Sequence, residues 1–238
     1  ALADGLGDRC GFAGAAHGLL MLVHALETAK PGDVIALASF GNGCDAILVE
    51  ALPGIEAARP AFGVAGSLAR GKPTEDYPRF LASTGELNVD WGMRAEFGNK
   101  YALTVEYRTG HDNLAFLGGR DKATGVVQFP KTPISVAPGA KGMAEYEDVP
   151  LADVPAKVVS FTADWLTYYP NPPFYFGLVQ FENGARMLME FVDVPEGALK
   201  VDVPLGMVFR VKEIDSVRGY RHYFWKATPQ APQAEAAQ

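Results

Sequence analysis

Residues 174–194 read FYFGLVQFENGARMLMEFVDV, and this stretch decides the fold of the second half of the chain. Two runs rich in aromatic and aliphatic residues, 174–182 and 185–194, flank the dipeptide Asn183-Gly184. An Asn-Gly pair between two such runs is the strongest short-range signal for a β-hairpin. The stretch therefore predicts two antiparallel strands that meet at this dipeptide.

The run before this hairpin alternates between apolar and polar residues. Residues 157–164 read KVVSFTAD, which places Val159, Phe161 and Ala163 on one face of a strand. A period of two residues is typical of a half-buried strand. We therefore expect these three side chains to face the core.

Two more strand-like runs follow the hairpin. Residues 207–213 alternate, and residues 220–226 form a last aromatic run. Five short strands with turns between them predict a closed all-β barrel of the OB type over residues 156–228. The composition of residues 229–238 predicts a disordered tail.

Charge and cysteine content exclude several functions. The 238 residues carry 21 Lys and Arg against 28 Asp and Glu, a net charge of −7. Binding to nucleic acid requires a surface stripe rich in Lys and Arg, so we expect no nucleic-acid partner. No apolar run is long enough to cross a membrane. Cys10 and Cys44 are too few for a disulfide framework, which predicts a cytoplasmic protein.

The front of the chain has a different pattern. Residues 11–29 predict a helix that is apolar on most sides. Residues 34–40 (VIALASF) predict a strand covered on both faces, a glycine turn follows at 41–43, and residues 45–50 predict a neighbouring strand. One helix and two strands cannot bury such a core alone. Either the rest of the chain or another polypeptide must cover them.

Four motifs in this region occur in a fixed order: GFAGAAHG, KPGD, VIALASF and GNGCDA. The order resembles the last helix and last two strands of thiolase-superfamily condensing enzymes, especially the hydroxymethylglutaryl-CoA synthase and ketoacyl synthase branch. The resemblance implies that residues 1–52 are an α/β fragment of a thiolase-like fold. It also implies an acyl-CoA thioester as substrate and a thiolase-like polypeptide that supplies the rest of the fold.

Three residues of this fragment are candidate catalytic residues. His17 is able to act as an acid or a base, although a core or interface histidine is the alternative. The resemblance implies that the backbone at Gly41 and Gly43 binds a thioester oxyanion, and a plain hairpin turn is the alternative. Phe12 occupies the Asn or His position of the family. The family's nucleophilic Cys has no counterpart in this sequence.

Residues 53–92 are rich in Gly and Pro, which predicts a linker with a short helix near 76–83. Beyond it, LAFLGGRDKATGVVQFPKTP (114–133) and the barrel sequence resemble acyl-CoA-associated OB-fold proteins. These proteins carry a rubredoxin-like zinc ribbon ahead of the barrel and partner, or are fused to, thiolases, hydroxymethylglutaryl-CoA synthases and steroid side-chain aldolases. The resemblance assigns residues 93–155 to an N-terminal segment and the ribbon.

The ribbon of this chain lacks the family's metal ligands. The first Cys-x-x-Cys pair would fall on Asp121 and Thr124, and the second, near 134–138, has no cysteine. We therefore expect a metal-free ribbon held by packing alone, with Val126, Val127 and Phe129 as its core.

The resemblance also indicates where CoA would bind. Phe129 and Lys131 lie where a pantetheine arm and a phosphate would pass, and Arg120 and Lys122 are further cations nearby. A solvated basic turn is the alternative. The loop 165–170 (WLTYYP) is either a docking surface or a cap on the barrel mouth.

Two functions follow from these features. The first is a component of a thiolase-like acyl-CoA enzyme complex that performs Claisen condensation, thiolysis or retro-aldol cleavage of a thioester. In that case the OB domain helps to bind CoA and a partner subunit. The second is a non-catalytic scaffold that bridges thiolase-type subunits, which the Phe at position 12 favours.

Overall fold

The computed structural model describes residues 2–59, 63–69, 74–89, 102–167, 169, 172–215 and 218–230. The chain divides into two compact units, residues 1–73 and residues 74–238. The described elements of the first unit are α1 (Gly7–Cys10), a 3-10 turn (Gly14–Ala16), α2 (His17–Thr28), β1 (Val34–Phe40), β2 (Cys44–Glu50) and α3 (Gly63–Ala69).

The predicted hairpin of the first unit is confirmed as a two-stranded antiparallel sheet. Strands β1 and β2 pair in a continuous register from Val34 opposite Glu50 to Phe40 opposite Cys44. The prediction that β1 is covered on both faces does not hold within the described residues. Val34, Leu48 and Phe40 are 63%, 72% and 87% exposed.

Helix α2 is shorter than the predicted helix because the glycines before it adopt other conformations. Gly11 and Gly14 have φ of +67° and +60°, so regular helix begins only at His17. Helix α3 lies inside the predicted linker. The Glu27 carboxylate at the end of α2 accepts hydrogen bonds from the backbone N–H groups of Val64 and Ala65, which fixes the start of α3.

The second unit begins with two helices and a small sheet before the barrel. Its elements are α4 (Tyr77–Thr84), α5 (Leu103–Ala115), β3 (Leu117–Asp121), β4 (Val127–Gln128), β5 (Tyr146–Pro150), β6 (Ala156–Asp164), β7 (Phe174–Phe181), β8 (Arg186–Phe191), β9 (Pro204–Asp215) and β10 (Tyr220–Pro229). The predicted short helix is confirmed as α4, whose N-cap Asp76 accepts from the N–H of Arg79 at 3.1 Å. Helix α5 was not predicted.

The predicted barrel is confirmed as a closed five-stranded barrel with the order β10-β8-β7-β6-β9. Strands β8 and β10 run parallel and pair only at Phe191 and Ala227. Strand β10 extends to Pro229, and residues 231–238 of the predicted tail lie outside the described residues. No helix in the described ranges is long and apolar enough to span a bilayer.

The hairpin at Asn183-Gly184 has a longer loop than predicted. Gln180 pairs with Arg186, and the Gly184 N–H donates to the Phe181 carbonyl at 3.0 Å. Only Gly184 has a positive φ, of +92°, among the loop residues. This is a three-residue hairpin loop with a glycine in the left-handed region, not the expected two-residue turn.

The prediction that Val159, Phe161 and Ala163 are buried in the core is wrong, because Phe161 is 39% exposed, Ala163 is exposed and a bulge in β6 interrupts the alternation at Val159. The register against β7 shifts between Val158 and Ser160, so Val159 is the extra residue. Val158 is fully buried, while Val159 is half-buried. The alternation of inward and outward side chains along β6 is therefore interrupted at Val159.

The core of the second unit joins the small sheet to the barrel through one aromatic side chain. Strands β4, β3 and β5 form a three-stranded sheet in that order. Phe116, just before β3, is 0% exposed. Its ring contacts the rings of Phe129, Phe181, Phe224 and Trp225.

Candidate functional site

His17 is engaged in local structure by both ring nitrogens. The Ala13 N–H donates to Nδ1 at 3.3 Å, so Nε2 carries the proton and donates to the Gly5 carbonyl at 2.9 Å. The ring of Phe12 lies 4.9 Å from the imidazole, and Phe12 itself is 82% exposed. Nothing tests the acid–base role, which stays a prediction, but in this conformation His17 ties residues 5–17 together.

The glycine turn lies at the same end of the first unit as His17. A Cβ on Gly18 would lie 3.5 Å from Ser39, which places the start of α2 beside the end of β1. The Gly41 N–H donates to the Gly43 carbonyl at 2.8 Å and is therefore occupied. Space beside both glycines is open, since a Cβ on either would meet nothing within 4 Å. Their oxyanion role stays a prediction.

One face of the β1–β2 sheet is apolar and largely exposed. Residues that pair directly across the strands share a face. One such set contains Ile35, Leu37, Ile47 and Val49, on the side where Leu37 approaches α2. The opposite set, which we call the bare face, contains six apolar residues, Val34, Ala36, Ala38, Phe40, Ala46 and Leu48, with Cys44 and Glu50 at its two ends. All eight of its residues are exposed.

The predicted CoA cations lie on or beside the small sheet, among carboxylates. Lys122 contacts Glu145 at 3.4 Å, and Arg120 lies opposite Glu147 on the neighbouring strand. Among the described residues, Arg120 has no ion pair. Because acidic side chains flank these cations, the sheet lacks the positive surface that a phosphate prefers.

Lys131 is held between two carboxylates. Its Nζ lies 2.8 Å from Asp112 and 2.6 Å from Asp148. Burial lowers the pKa of this ammonium, but the hydrogen bonds and charges of Asp112 and Asp148 outweigh burial and raise the pKa above its usual value. The side chain also requires Gly119 beneath it, because a Cβ there would lie 2.7 Å from Lys131 Cγ. Phosphate binding by Lys131 stays a prediction.

Phe129 takes part in both the core and a cavity. One side of its ring contacts Phe116 and Phe224. It also lines a cavity of about 320 Å³ together with Pro130, Val127, Thr132, Val136 and Arg186. Arg186, from β8, is a cation at this cavity that the sequence analysis missed.

Two positions that the resemblance predicts to correspond to zinc ligands, Asp121 and Thr124, lie in a hydrogen-bonded cluster. The Asp121 carboxylate accepts from the Thr124 hydroxyl at 2.7 Å and from the Ala123 N–H at 2.9 Å. It also accepts a hydrogen bond from the Ser135 hydroxyl. These contacts join the loop that follows β3 to the loop that contains Ser135.

Gln128 fixes the second of these loops. Its side chain is 4% exposed, and its amide donates to Thr132 Oγ1 at 3.0 Å and accepts from the Val136 N–H at 2.8 Å. The expectation that packing alone holds this region is therefore incomplete, because polar side chains also join its loops. The residues do not fit zinc, which needs nitrogen or sulfur ligands in a structural site. Across the described residues, no group of three His, Cys, Asp or Glu is placed to hold a metal.

Asp121 provides a test of this cluster. Hydrogen bonds from Ser135 and Thr124 lower the pKa of its carboxyl. A lowered pKa in the folded state stabilises the fold fully above the unfolded-state pKa, and that stability is lost as pH falls through the folded-state pKa. We expect Asp121→Asn to melt at a lower temperature than wild type at neutral pH. The difference should shrink below about pH 4.

Thermal unfolding followed by circular dichroism across this pH range measures the difference. Asp153→Asn, at an exposed position, is the control and should leave the melting temperature nearly unchanged. A gap between wild type and Asp121→Asn that stays constant down to acid pH would contradict the assignment.

A cluster of charged side chains on the barrel was not predicted. Lys212 and Lys226 both contact the Glu190 carboxylate beside a second cavity of about 320 Å³. Burial raises the pKa of Glu190, but the hydrogen bonds and charges of the two lysines outweigh burial and lower the pKa below its usual value. The only sequence signal was a charged residue inside each of three strand-like runs.

A family comparison agrees with the barrel assignment. Residues 148–210 match the family model described as the ChsH2 C-terminal OB-fold domain. One similar solved structure is titled "Ltp2-ChsH2(DUF35) aldolase". It is 13% identical, with a TM-score of 0.40, and the match covers 56% of this chain and 98% of that chain. Another is a DUF35-family protein of unknown function from Sulfolobus solfataricus. It is 17% identical, with a TM-score of 0.30, and covers 48% of this chain and 75% of that chain. No curated protein matches.

The matched residues contain β6, β7, β8 and about half of β9, so the family match covers most of the closed barrel except β10. The thiolase-like assignment of residues 1–52 stays a prediction. Residues 148–210 are thus similar to the C-terminal OB-fold domain of ChsH2.

Proposed function

We propose that this chain is an accessory subunit of an acyl-CoA enzyme in which a thiolase-like polypeptide supplies the nucleophilic Cys. The reaction is Claisen condensation, thiolysis or retro-aldol cleavage of a thioester. The observation that carries the proposal is the bare face, which leaves a mostly apolar sheet face exposed in the segment whose motifs resemble the end of a thiolase fold. The ChsH2-type match of the barrel supports it independently.

The partner covers the bare face in this proposal. Burial of apolar surface contributes about 25 cal/mol per Å², and an edge strand is able to accept a further strand through its free backbone groups. Sheet β1–β2 offers both kinds of contact, because the described part of the chain gives it two strands, each with a free edge. A thiolase-like partner that lacks its own last helix and strands would use both the apolar face and the strand edge to complete its fold.

The CoA arm, in this proposal, enters the cavity beside Phe129 and Pro130. Apolar side chains form most of its lining, as a pantetheine arm requires, and Arg186, which lines the cavity, is the candidate for a phosphate. Lys122 and Lys131 contribute less, because each is already paired with a carboxylate.

The test is co-expression with a thiolase-superfamily polypeptide of the same genome that has its nucleophilic Cys but lacks the final helix and strands. We expect the two chains to co-elute in size-exclusion chromatography and to turn over an acyl-CoA together. Leu48→Glu places a charge on the bare face and should weaken the complex at least about tenfold. Val201→Glu, at an exposed apolar residue of the barrel unit, is the matched control.

Equal partner binding by Leu48→Glu and Val201→Glu would contradict the proposal. So would a wild-type chain that self-associates through the bare face and ignores the partner. The scaffold alternative has one supporting observation, the engagement of both His17 nitrogens within the fold. In that case, acyl-CoA turnover by the complex survives His17→Ala and Phe12→Ala unchanged.

A further inference from the structure

The second cavity lies where two barrel strands diverge. Strands β8 and β10 pair only at Phe191 and Ala227, and the residues before this pair separate. The resulting cavity has a volume of about 320 Å³, near the lower end of the range for small-molecule sites. Its lining residues come from four strands: Phe174, Phe176, Leu188, Met189, Glu190, Lys212, Phe224, Trp225 and Lys226.

The charged part of this cavity has more ammonium than carboxylate groups. Lys226 Nζ lies 2.8 Å from Glu190 Oε2, and Lys212 contacts Oε1 of the same carboxylate. The Lys226 side chain is only 8% exposed and that of Glu190 is 14% exposed. Two cations therefore share one anion, so the cluster has a net positive charge beside the cavity, with Lys226 largely buried and Lys212 about half exposed.

Among the described residues, the hydrogen-bonding capacity of Lys226 is incompletely used. An ammonium group has three donors and no acceptor. Within the part of the chain that the structure describes, Glu190 is the one ion-pair partner of Lys226. Burying an ammonium with spare donors is costly unless an acceptor meets them, and a ligand anion would do so.

The remaining walls are apolar and aromatic. The rings of Phe174 and Phe176 stack with centroids 5.3 Å apart, and the ring of Tyr169 lies 5.0 Å from Phe174. Leu188, at 66% exposed, marks the side open to solvent. A ligand that enters here meets aromatic faces and the two ammonium groups in the same cavity.

We propose that this cavity binds a small organic anion whose carboxylate or phosphate contacts Lys226 and Lys212 and whose apolar body lies on Phe174 and Phe176. The anion accepts hydrogen bonds from the Lys226 ammonium, and its negative charge neutralises the net positive charge of Lys212, Lys226 and Glu190. Every lining residue lies between positions 174 and 226, so the site does not depend on the proposed thiolase-like partner.

Isothermal titration of the full chain with 4-phenylbutyrate tests the site, with phenyl phosphate as the second arm that distinguishes the head group. We expect saturable binding of at least one of these two anions. The neutral analogue 4-phenylbutanol and the small anion acetate should each bind at least about tenfold more weakly, because each lacks one half of the required chemistry.

Variants assign the binding to this cavity. Lys226→Met should weaken binding at least about tenfold and Lys212→Met about threefold. Glu190→Gln should strengthen binding, because the ligand no longer competes with the carboxylate for the two cations. Lys157→Met, at a lysine 54% exposed and paired with Asp202, is the control and should bind as wild type does.

Two outcomes would overturn the proposal. The first is no saturable binding of either anion by wild type at millimolar concentration. The second is wild-type affinity in both Lys212→Met and Lys226→Met. Because Lys212 is about half exposed, its variant keeps the test valid where Lys226→Met does not fold.

Discussion

Phe116→Ala is expected to lower the free energy of unfolding of the second unit by about 3–5 kcal/mol, the range for removing a fully buried Phe. Phe116 is 0% exposed and contacts four other aromatic rings, and the nearest of these, Phe129, has its centroid 5.3 Å away. Its loss removes apolar burial and leaves a cavity between the small sheet and the barrel. Denaturant unfolding followed by circular dichroism measures the change.

The matched control for this variant is Phe80→Ala on α4. Phe80 is 54% exposed, so its truncation removes little buried surface and should cost less than about 1 kcal/mol. Equal destabilisation by the two variants would show that Phe116 does not link sheet and barrel. The region of Phe129 and its cavity should lose amide protection first in Phe116→Ala, which hydrogen exchange is able to follow.

Gly177→Ala is expected to destabilise the barrel by about 3 kcal/mol, at the upper end of the range for overpacking. Gly177 lies in β7 opposite Phe161. A Cβ at this position would lie 2.0 Å from the Ser160 carbonyl oxygen and 2.7 Å from the Phe161 Cα. Both are backbone atoms, so strands β6 and β7 would have to separate next to the bulge.

Gly206→Ala is the matched control for the barrel. Gly206 also lies in a barrel strand, but a Cβ there would first meet the flexible Gln230 side chain at 3.3 Å. We expect a change below about 1 kcal/mol, because that side chain is able to move. A Gly177→Ala variant as stable as Gly206→Ala in denaturant unfolding would contradict the close approach of β6 and β7.

The local pattern of the sequence was sufficient for most strands. Alternation or aromatic content predicted all five barrel strands, and residues 34–40 were predicted as β1 to the residue. Strand formation depends on which side chains follow each other, and a single sequence carries that information directly. The bulge at Val159 was missed because the extra residue is visible only against the paired strand.

The candidate sites could be predicted from the sequence less completely than the strands. Composition indicated that residues 1–52 need a cover, but only the register of β1 and β2 defined the bare face. Lys131 is a plain basic residue in the sequence, and its two carboxylate partners come from α5 and β5. Helices α3 and α5 also lacked a recognised start signal.

The order of neighbouring residues was enough to predict the barrel strands, the β1–β2 hairpin and the absence of cysteine at the expected ribbon positions. The contact of Asp121 with Ser135 and the contacts of Lys212 and Lys226 with Glu190 became visible only in the folded chain. The physical reason is that strand periodicity is a property of neighbouring residues, whereas these charge and hydrogen-bond contacts form only when folding brings distant segments together.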